Sequence, residues 1–161
     1  MRIAWVGISA QRDHAGKPVA PLAPTTPTGQ VVEKIIQLCP AGTLHEKANF
    51  IDQILIDDDQ RLRAPRRDEL AQGADRFSGI LESRARDLFV FFGGHIRSAF
   101  EFHCKVKFKN DIVHTICGSR VAFVNHPSYV RIYRAKRMDE YIRSVASLVS
   151  SLPPSEKPFS Q

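Results

Sequence analysis

The chain alternates short apolar runs with amphipathic segments. Ile3 to Ile8 is an apolar stretch of strand length, and Val31, Val32, Ile35, Ile36 and Cys39 then recur at helical spacing behind Thr28-Gly29. Phe50 to Ile56 is a second strand candidate, after which Leu70, Ala74, Phe77 and Leu81 mark a helix opened by Pro65. Leu88 to Phe92 is a third strand, five apolar residues in a row, and Gly93-Gly94 turns it into a short helix bearing Ile96, Ala99, Phe100 and His103. Arg120 to Val124 is the last strand. Met138, Tyr141, Ile142, Val145, Leu148, Val149 and Leu152 form the apolar stripe of a final helix that Pro153-Pro154 stops. Strands that read as unbroken apolar runs and alternate with helices imply a parallel sheet covered on both faces. The expected fold is α/β, a three-layer αβα sandwich around a four-stranded, mainly parallel sheet with right-handed crossovers.

Two segments break the alternation. Ala10 to Pro27 is long and proline-rich, and because it follows the first strand it should wall a pocket at the carboxyl end of the sheet, where open α/β folds bind ligands. Lys105 to Ile116 alternates Val106 and Phe108 with Lys105, Lys107 and Lys109 around Asn110-Asp111, the pattern of a lysine-faced hairpin at a sheet edge. Such lysines protect an edge or contact DNA. A single domain over 1–152 and a frayed tail over 153–161 complete the plan, without internal repeats.

Composition narrows the class. The chain of 161 residues suffices for one sizeable core, and its net charge of +6 suits an anionic polymer. No apolar run approaches the ~20 residues of a membrane span, and Met1 leads directly into RIAWVGI rather than a secretory leader, so a cytoplasmic location and no membrane partner are expected. Cys39, Cys104 and Cys117 are scattered, which argues against a disulfide framework or a zinc ribbon. The histidines do not cluster at metal-ligand spacing; His45, His95, His103 and His114 read as structural or surface groups. No metal, no cofactor and a monomeric state are expected.

The chemistry concentrates at Val124-Asn125-His126-Pro127-Ser128-Tyr129. Pro127 forbids continuation of the strand and holds His126 in extended backbone, so an imidazole and a hydroxyl are presented at a rigid corner. Beyond it, Arg131, Arg134, Lys136 and Arg137 interleave with Tyr129 and Tyr133, a mixture that suits a phosphate backbone and bases.

Four segments, in order, resemble the uracil-DNA glycosylase superfamily over most of the chain. GISAQRDHAGKPVAPLAPTTPTGQVVEKI, Gly7 to Ile35, is similar to its first motif: a glycine after the first strand, a pocket loop with a G-x-P element, and a glycine opening a helix. KANFIDQILIDDDQRLRAPRRDEL, Lys47 to Leu70, resembles the segment that ends a strand with asparagine and returns through an R-x-P turn. LFVFFGGHIRSAF matches the apolar strand and glycine turn, and HPSY the H-P-S core of the second motif. The resemblance implies a monofunctional enzyme that flips uracil or a related pyrimidine from single- or double-stranded DNA and hydrolyses its N-glycosidic bond. It makes Asn49 the base-selecting amide and His126 the donor to the leaving base, within a pocket formed by Gly7, Ile8, Leu22 and Phe50. Ser128, Tyr129, Arg131, Arg134, Lys136 and Arg137 would contact DNA, and Tyr129, Val130 or Ile132 would fill the vacated base stack.

The first motif departs from the pattern. Where the superfamily places a water-orienting carboxylate or amide, this chain has Ile8 and Ser9; Ser9 can orient water but supplies no negative charge, and Asp13 and His14, a few residues on, are candidate substitutes. The usual aromatic after G-x-P is replaced by Val19 and Ala20, leaving stacking to Leu22 or Phe50. The superfamily's iron-sulfur branch needs four cysteines, and Gly73 stands where one ligand would lie. Two other functions stay open: a catalytically weak relative that binds DNA or a modified base, and a nucleotide-processing α/β enzyme.

Overall fold

A computed structural model describes residues 1–153; the expected tail, apart from Pro153, lies outside the described residues. The elements are β1 (Arg2–Arg12), β2 (Pro18–Val19), α1 (Pro27–Gln37), β3 (Leu44–Ile54), α2 (Arg67–Glu82), β4 (Leu88–Phe92), α3 (Gly94–Cys104), β5 (Val113–Ile116), β6 (Ser119–Val124), α4 (Pro127–Tyr133) and α5 (Met138–Ser150), with a 3₁₀ turn at Ala135–Arg137. The fold is α/β with a mixed, open sheet of six strands and five α-helices among the described residues.

The four strands expected from sequence lie side by side in the order β3-β1-β4-β6, all parallel. Two antiparallel strands make the sheet mixed: β2, which the apolar pattern does not predict, and β5, which covers the second arm of the expected lysine-faced hairpin. β2 folds back on the end of β1, pairing Gln11 with Val19 and Arg12 with Pro18. β5 joins β6 through Cys117-Gly118, both at positive φ, in a two-residue hairpin turn. The hairpin therefore spans 113–124 and not 105–116. The lysine-rich stretch is an irregular loop, because Lys105 ends α3 in the left-handed region and Phe108 turns in to pack on Phe123, ring centroids 5.3 Å apart.

Alternation along the strands distributes the core between two faces. Ala4, Val6, Phe89, Phe91, Val121 and Phe123 face Ala74, Phe77 and Leu81 of α2 and Ile96 and Phe100 of α3. Ile3, Trp5, Leu88, Val90, Phe92, Ala122 and Val124 face Val32 and Ile35 of α1 and Ile142, Val145 and Val149 of α5. Strand β3 begins six residues earlier than its apolar run, since it pairs only with β1 and its first half carries polar groups with local partners: Trp5 Nε1 donates to His45 Nδ1 at 3.0 Å and Lys47 pairs with Glu33. Asn49 consequently sits inside a strand and not at its end. The segment after His126 is also more regular than its charge suggests, with Pro127 at the first position of α4, where its missing N–H costs nothing.

Close packing of α2 on β3 depends on Gly73. A Cβ there would stand 2.5 Å from Cε1 of Phe50, itself fully buried and stacked on Phe77 at 5.4 Å. Gly79, on the exposed side of the same helix, has open space around it. Gly73→Ala should lower the unfolding free energy by about 1–3 kcal/mol through overpacking, whereas Gly79→Ala should raise it by roughly 0.5–1 kcal/mol through helix propensity. Urea denaturation of the two variants measures both signs.

Candidate active site

The ladder aligns the strand ends. Gly7 pairs with Asn49, Val6 with Phe91, and Phe92 with Val124, and the Gly93 N–H donates to the Val124 carbonyl at 2.8 Å. Residues just past these pairs emerge together, and a cleft of about 880 Å³ opens there. Gly7, Ile8, Ser9, Leu22, Asn49 and His126 line it, as do Ser128, Tyr129 and Arg131. The 10–27 segment supplies one part of the lining through Gln11, Leu22, Thr26 and Pro27, continued by Thr28. It is held against α1 by Thr26, whose Oγ1 accepts from the Gly29 N–H at 3.0 Å, and by the absence of a side chain on Gly29, where a Cβ would fall 1.8 Å from the Ala23 carbonyl oxygen.

His126 caps α4. Its backbone is extended, φ −66° and ψ 135°, and its Nδ1 lies 3.2 Å from the donating Ser128 N–H and 2.6 Å from Ser128 Oγ. An amide N–H can only donate, so Nδ1 is the acceptor and the ring proton resides on Nε2. Burial, with Arg131 and His95 adding to it, lowers the imidazole pKa from 6.5 to about 4. At neutral pH this residue is an uncharged imidazole with one donor, Nε2–H.

Asn49 is 7 % exposed, and its side-chain amide has no hydrogen-bond partner among the described residues. Its amide atoms are not among the buried unpartnered ones, so they open on the cleft and are available to a ligand or water there. Its main chain is fixed independently: the carbonyl oxygens of Asn49 and Phe50 both accept from Arg76, at 2.7 and 2.8 Å.

Several lining groups lie outside the site expected from the sequence. Arg63 reaches the cleft from the R-x-P turn but is held by Glu69 through bonds of 3.0 and 2.6 Å, and those bonds, chiefly, push the Glu69 carboxyl down to about 2. His95 and Arg97 enter from the start of α3, so His95, expected as a structural or surface group, lines the cleft. The apolar strand followed by Gly93-Gly94 carried the same signal as the one before HPS. Asn125 lines the cleft beside His126, and its carbonyl accepts from the hydroxyl of the half-buried Tyr141 at 2.6 Å.

Several expected site residues fall elsewhere. Asp13 is exposed and folded into its own turn, Oδ1 accepting from Ala15 N and Lys17 N at 2.9 Å each, and it does not line the cleft. Phe50 belongs to the core. Val130 is 2 % exposed, whereas Ile132 is 65 % and Tyr133 72 % exposed. Lys136 lies outside the cleft; Arg134 and Arg137 border a smaller depression of about 140 Å³, with the Arg134 guanidinium 5.8 Å from the Tyr129 ring centroid. Among the described residues no Asp or Glu lines the main cleft, while Arg63, Arg97 and Arg131 do.

No family model and no curated protein matches this chain. Among solved structures, the crystal structure of Smu.1420 from Streptococcus mutans UA159 is similar at a TM-score of 0.40 and 10 % identity, covering 94 % of this chain and 100 % of that one. That degree of likeness assigns neither family nor activity. Among the described residues no helix is long and apolar enough to cross a membrane.

Acid should weaken the fold through His126. Its folded pKa is depressed, so the unfolded chain binds the extra proton between pH 6.5 and about 4, and stability falls with pH across that window, by on the order of 3 kcal/mol at the limit. His126→Asn retains a capping side chain and should flatten this part of the pH dependence, as read from denaturant unfolding at intervals from pH 7 to pH 4.

Proposed function

We propose that this protein is a monofunctional DNA glycosylase related to the uracil-DNA glycosylase superfamily, acting on uracil or a kindred pyrimidine flipped into the cleft. The observation that carries this reading is the meeting of Asn49 and His126, residues 77 positions apart in the chain, in one cleft with an unpartnered amide that opens on it and a neutral imidazole donor. The order of the four sequence segments supports the same reading.

The chemistry follows from the bond to be broken. When C1′–N1 of a deoxyuridine cleaves, the electron pair leaves with the base and positive charge grows on the sugar. Asn49 offers a donor and an acceptor to the polar edge of the base and so selects it. His126, with its proton on Nε2, donates to a carbonyl oxygen of the base as charge accumulates there; a single well-placed donor of this kind is worth ~3–4 kcal/mol. Water then adds to C1′ and releases a proton. Ser9 Oγ lines the cleft and can accept a hydrogen bond from that water. Arg131, at the cleft edge, and Arg134, beside it, face the phosphates that flank the flipped nucleotide, with the exposed Tyr129, Ile132 and Tyr133 beside the neighbouring bases.

A second reading, a weak or non-catalytic binder of DNA or a modified base, is favoured by one observation: no carboxylate among the described residues lines the cleft to balance a cationic sugar. Excision assays on uracil-containing oligonucleotides, read as alkali-labile strand breaks, separate the two.

His126→Ala and Asn49→Ala should each reduce excision by roughly a hundred-fold or more while the fold persists. Ser9→Asp should raise it by supplying the missing anion; a fall would mean that Ser9 is matched to another base or that the new anion charges His126 at the expense of its neutral donor. Arg131→Ala with Arg134→Ala should weaken binding to all DNA sequences and reduce the salt slope by about one to two units, near 0.9 for each duplex phosphate that is no longer neutralised. An unchanged slope in fluorescence-anisotropy titrations would move the DNA path to the surface of Lys105, Lys107 and Lys109.

A further inference from the structure

Asn125 precedes the histidine of the HPS element and shares the cleft with it, and three hydrogen-bonded side chains determine which way its amide points. Arg97 Nη1 donates to Asn110 Oδ1 at 2.8 Å, and Asn110 Nδ2 donates to Asn125 Oδ1 at 3.2 Å. The sense of this chain is fixed at its first member. A guanidinium has donors only, so the Asn110 atom facing Arg97 must be oxygen; its NH2 then faces Asn125, whose nearer atom must again be oxygen. The Asn125 NH2 is thereby turned away from Asn110 and has no partner among the described residues. Its main chain is held as well, the carbonyl accepting from Tyr141. Glu101 lies 3.8 Å from Arg97 Nε, which is buried without a hydrogen-bond partner, and itself ties down the following loop by accepting from the Phe108 N–H at 3.1 Å.

We infer that Asn125 is a second specificity-determining donor of the cleft, giving an N–H to an acceptor oxygen of the bound nucleotide, and that Arg97 and Asn110 are positioning residues that keep it a donor. The inference rests on the glycosylase reading for the identity of the nucleotide. The acceptor is an oxygen of the base or of an adjoining phosphate; either presents lone pairs to an amide donor.

The test exploits the relay without altering the cleft lining. Asn110→Asp retains the bond from Arg97 but presents an oxygen to Asn125, which borders both the cleft and the smaller depression and whose amide must then turn its NH2 toward Asp and its Oδ1 to the side that the NH2 now faces. Asn110→Ala removes the relay and leaves the Asn125 amide free to take either orientation. If Asn125 acts as a donor, Asn110→Asp weakens binding of a uracil-containing oligonucleotide by about tenfold, more than Asn110→Ala does, even though Asp keeps the ion-paired contact and unfolds at the higher denaturant concentration. A merely structural relay gives the opposite order, with Ala the more damaging in both measurements, and that order would overturn the inference, as would equal binding by parent and both variants. Asn125→Asp, which removes the donor outright, should match the Asn110→Asp loss. Repeating the titration with an abasic analogue at the target position locates the acceptor: loss confined to the uracil oligonucleotide places the oxygen on the base, and equal loss on both places it on a phosphate. Failure of the parent to excise any base would count against the glycosylase reading alone, because the order of the binding losses is read without turnover.

Discussion

The parallel ladder centred on β1 is the constraint on which the rest of the structure depends. Its residues alternate between two cores, Ile3 and Trp5 on one side, Ala4 and Val6 on the other, and it is paired along both edges. A slip of one residue would turn every one of these side chains to the wrong face. The same register places Gly7 opposite Asn49 and brings Gly93 and His126 to the neighbouring strand ends. Fold stability and site geometry are therefore one requirement. Glycine suits positions 7 and 93 because side chains come close to both: a Cβ on Gly7 would meet Leu22 Cδ2 at 3.0 Å, and one on Gly93, at φ +108°, would meet Ile8 Cδ1 at 3.1 Å.

How much of this was legible in the sequence depended on whether a segment buries both faces. β4 and β6 do so, and their runs LFVFF and RVAFV mark them without ambiguity. β3 buries only Asn49 to Ile51 at its middle, so its polar beginning, Leu44 to Ala48, has no apolar signature and emerges only through its pairing with β1. β2 is two residues long and owes its existence to the turn at Asp13, while β5 has four residues, of which Ile116 alone is buried. Short edges of this kind carry little sequence information because packing does not select them. The helix after Pro127 was hidden for a different reason. Its charged and aromatic residues face solvent, so the helical period in Pro127 and Val130 rests on two buried positions.

The site shows the same division. His126, Ser128, Asn49 and the 7–9 segment were recognisable because each stands at a distinctive chain feature: a proline corner, an apolar strand or a glycine. Arg97 and Asn110 are not recognisable in that way. Their importance comes from a hydrogen-bond sequence across 28 residues of chain, from Arg97 to Asn125, which no local pattern encodes. Phe50 illustrates the converse, an aromatic beside Asn49 in sequence that strand alternation sends to the opposite side, into the core.

Electrostatically the cleft is one-sided. Its lining among the described residues contains arginines, neutral amides and an imidazole that burial keeps uncharged, and no carboxylate. A neutral histidine is the form that such surroundings permit, since a charged ring would lie near Arg131 and His95 without a compensating anion. Under the glycosylase reading, this environment assists departure of the base, where negative charge develops, and offers little to the sugar, where positive charge develops. Transition-state stabilisation then comes mainly from the leaving-group side, and the rate depends on how well the departing base itself carries charge. A carboxylate introduced at Ser9 would act on the other side of the same bond. It would also place an anion in a cleft containing His126, which favours the charged ring, so its benefit at the sugar is opposed by partial loss of the neutral donor geometry at the base.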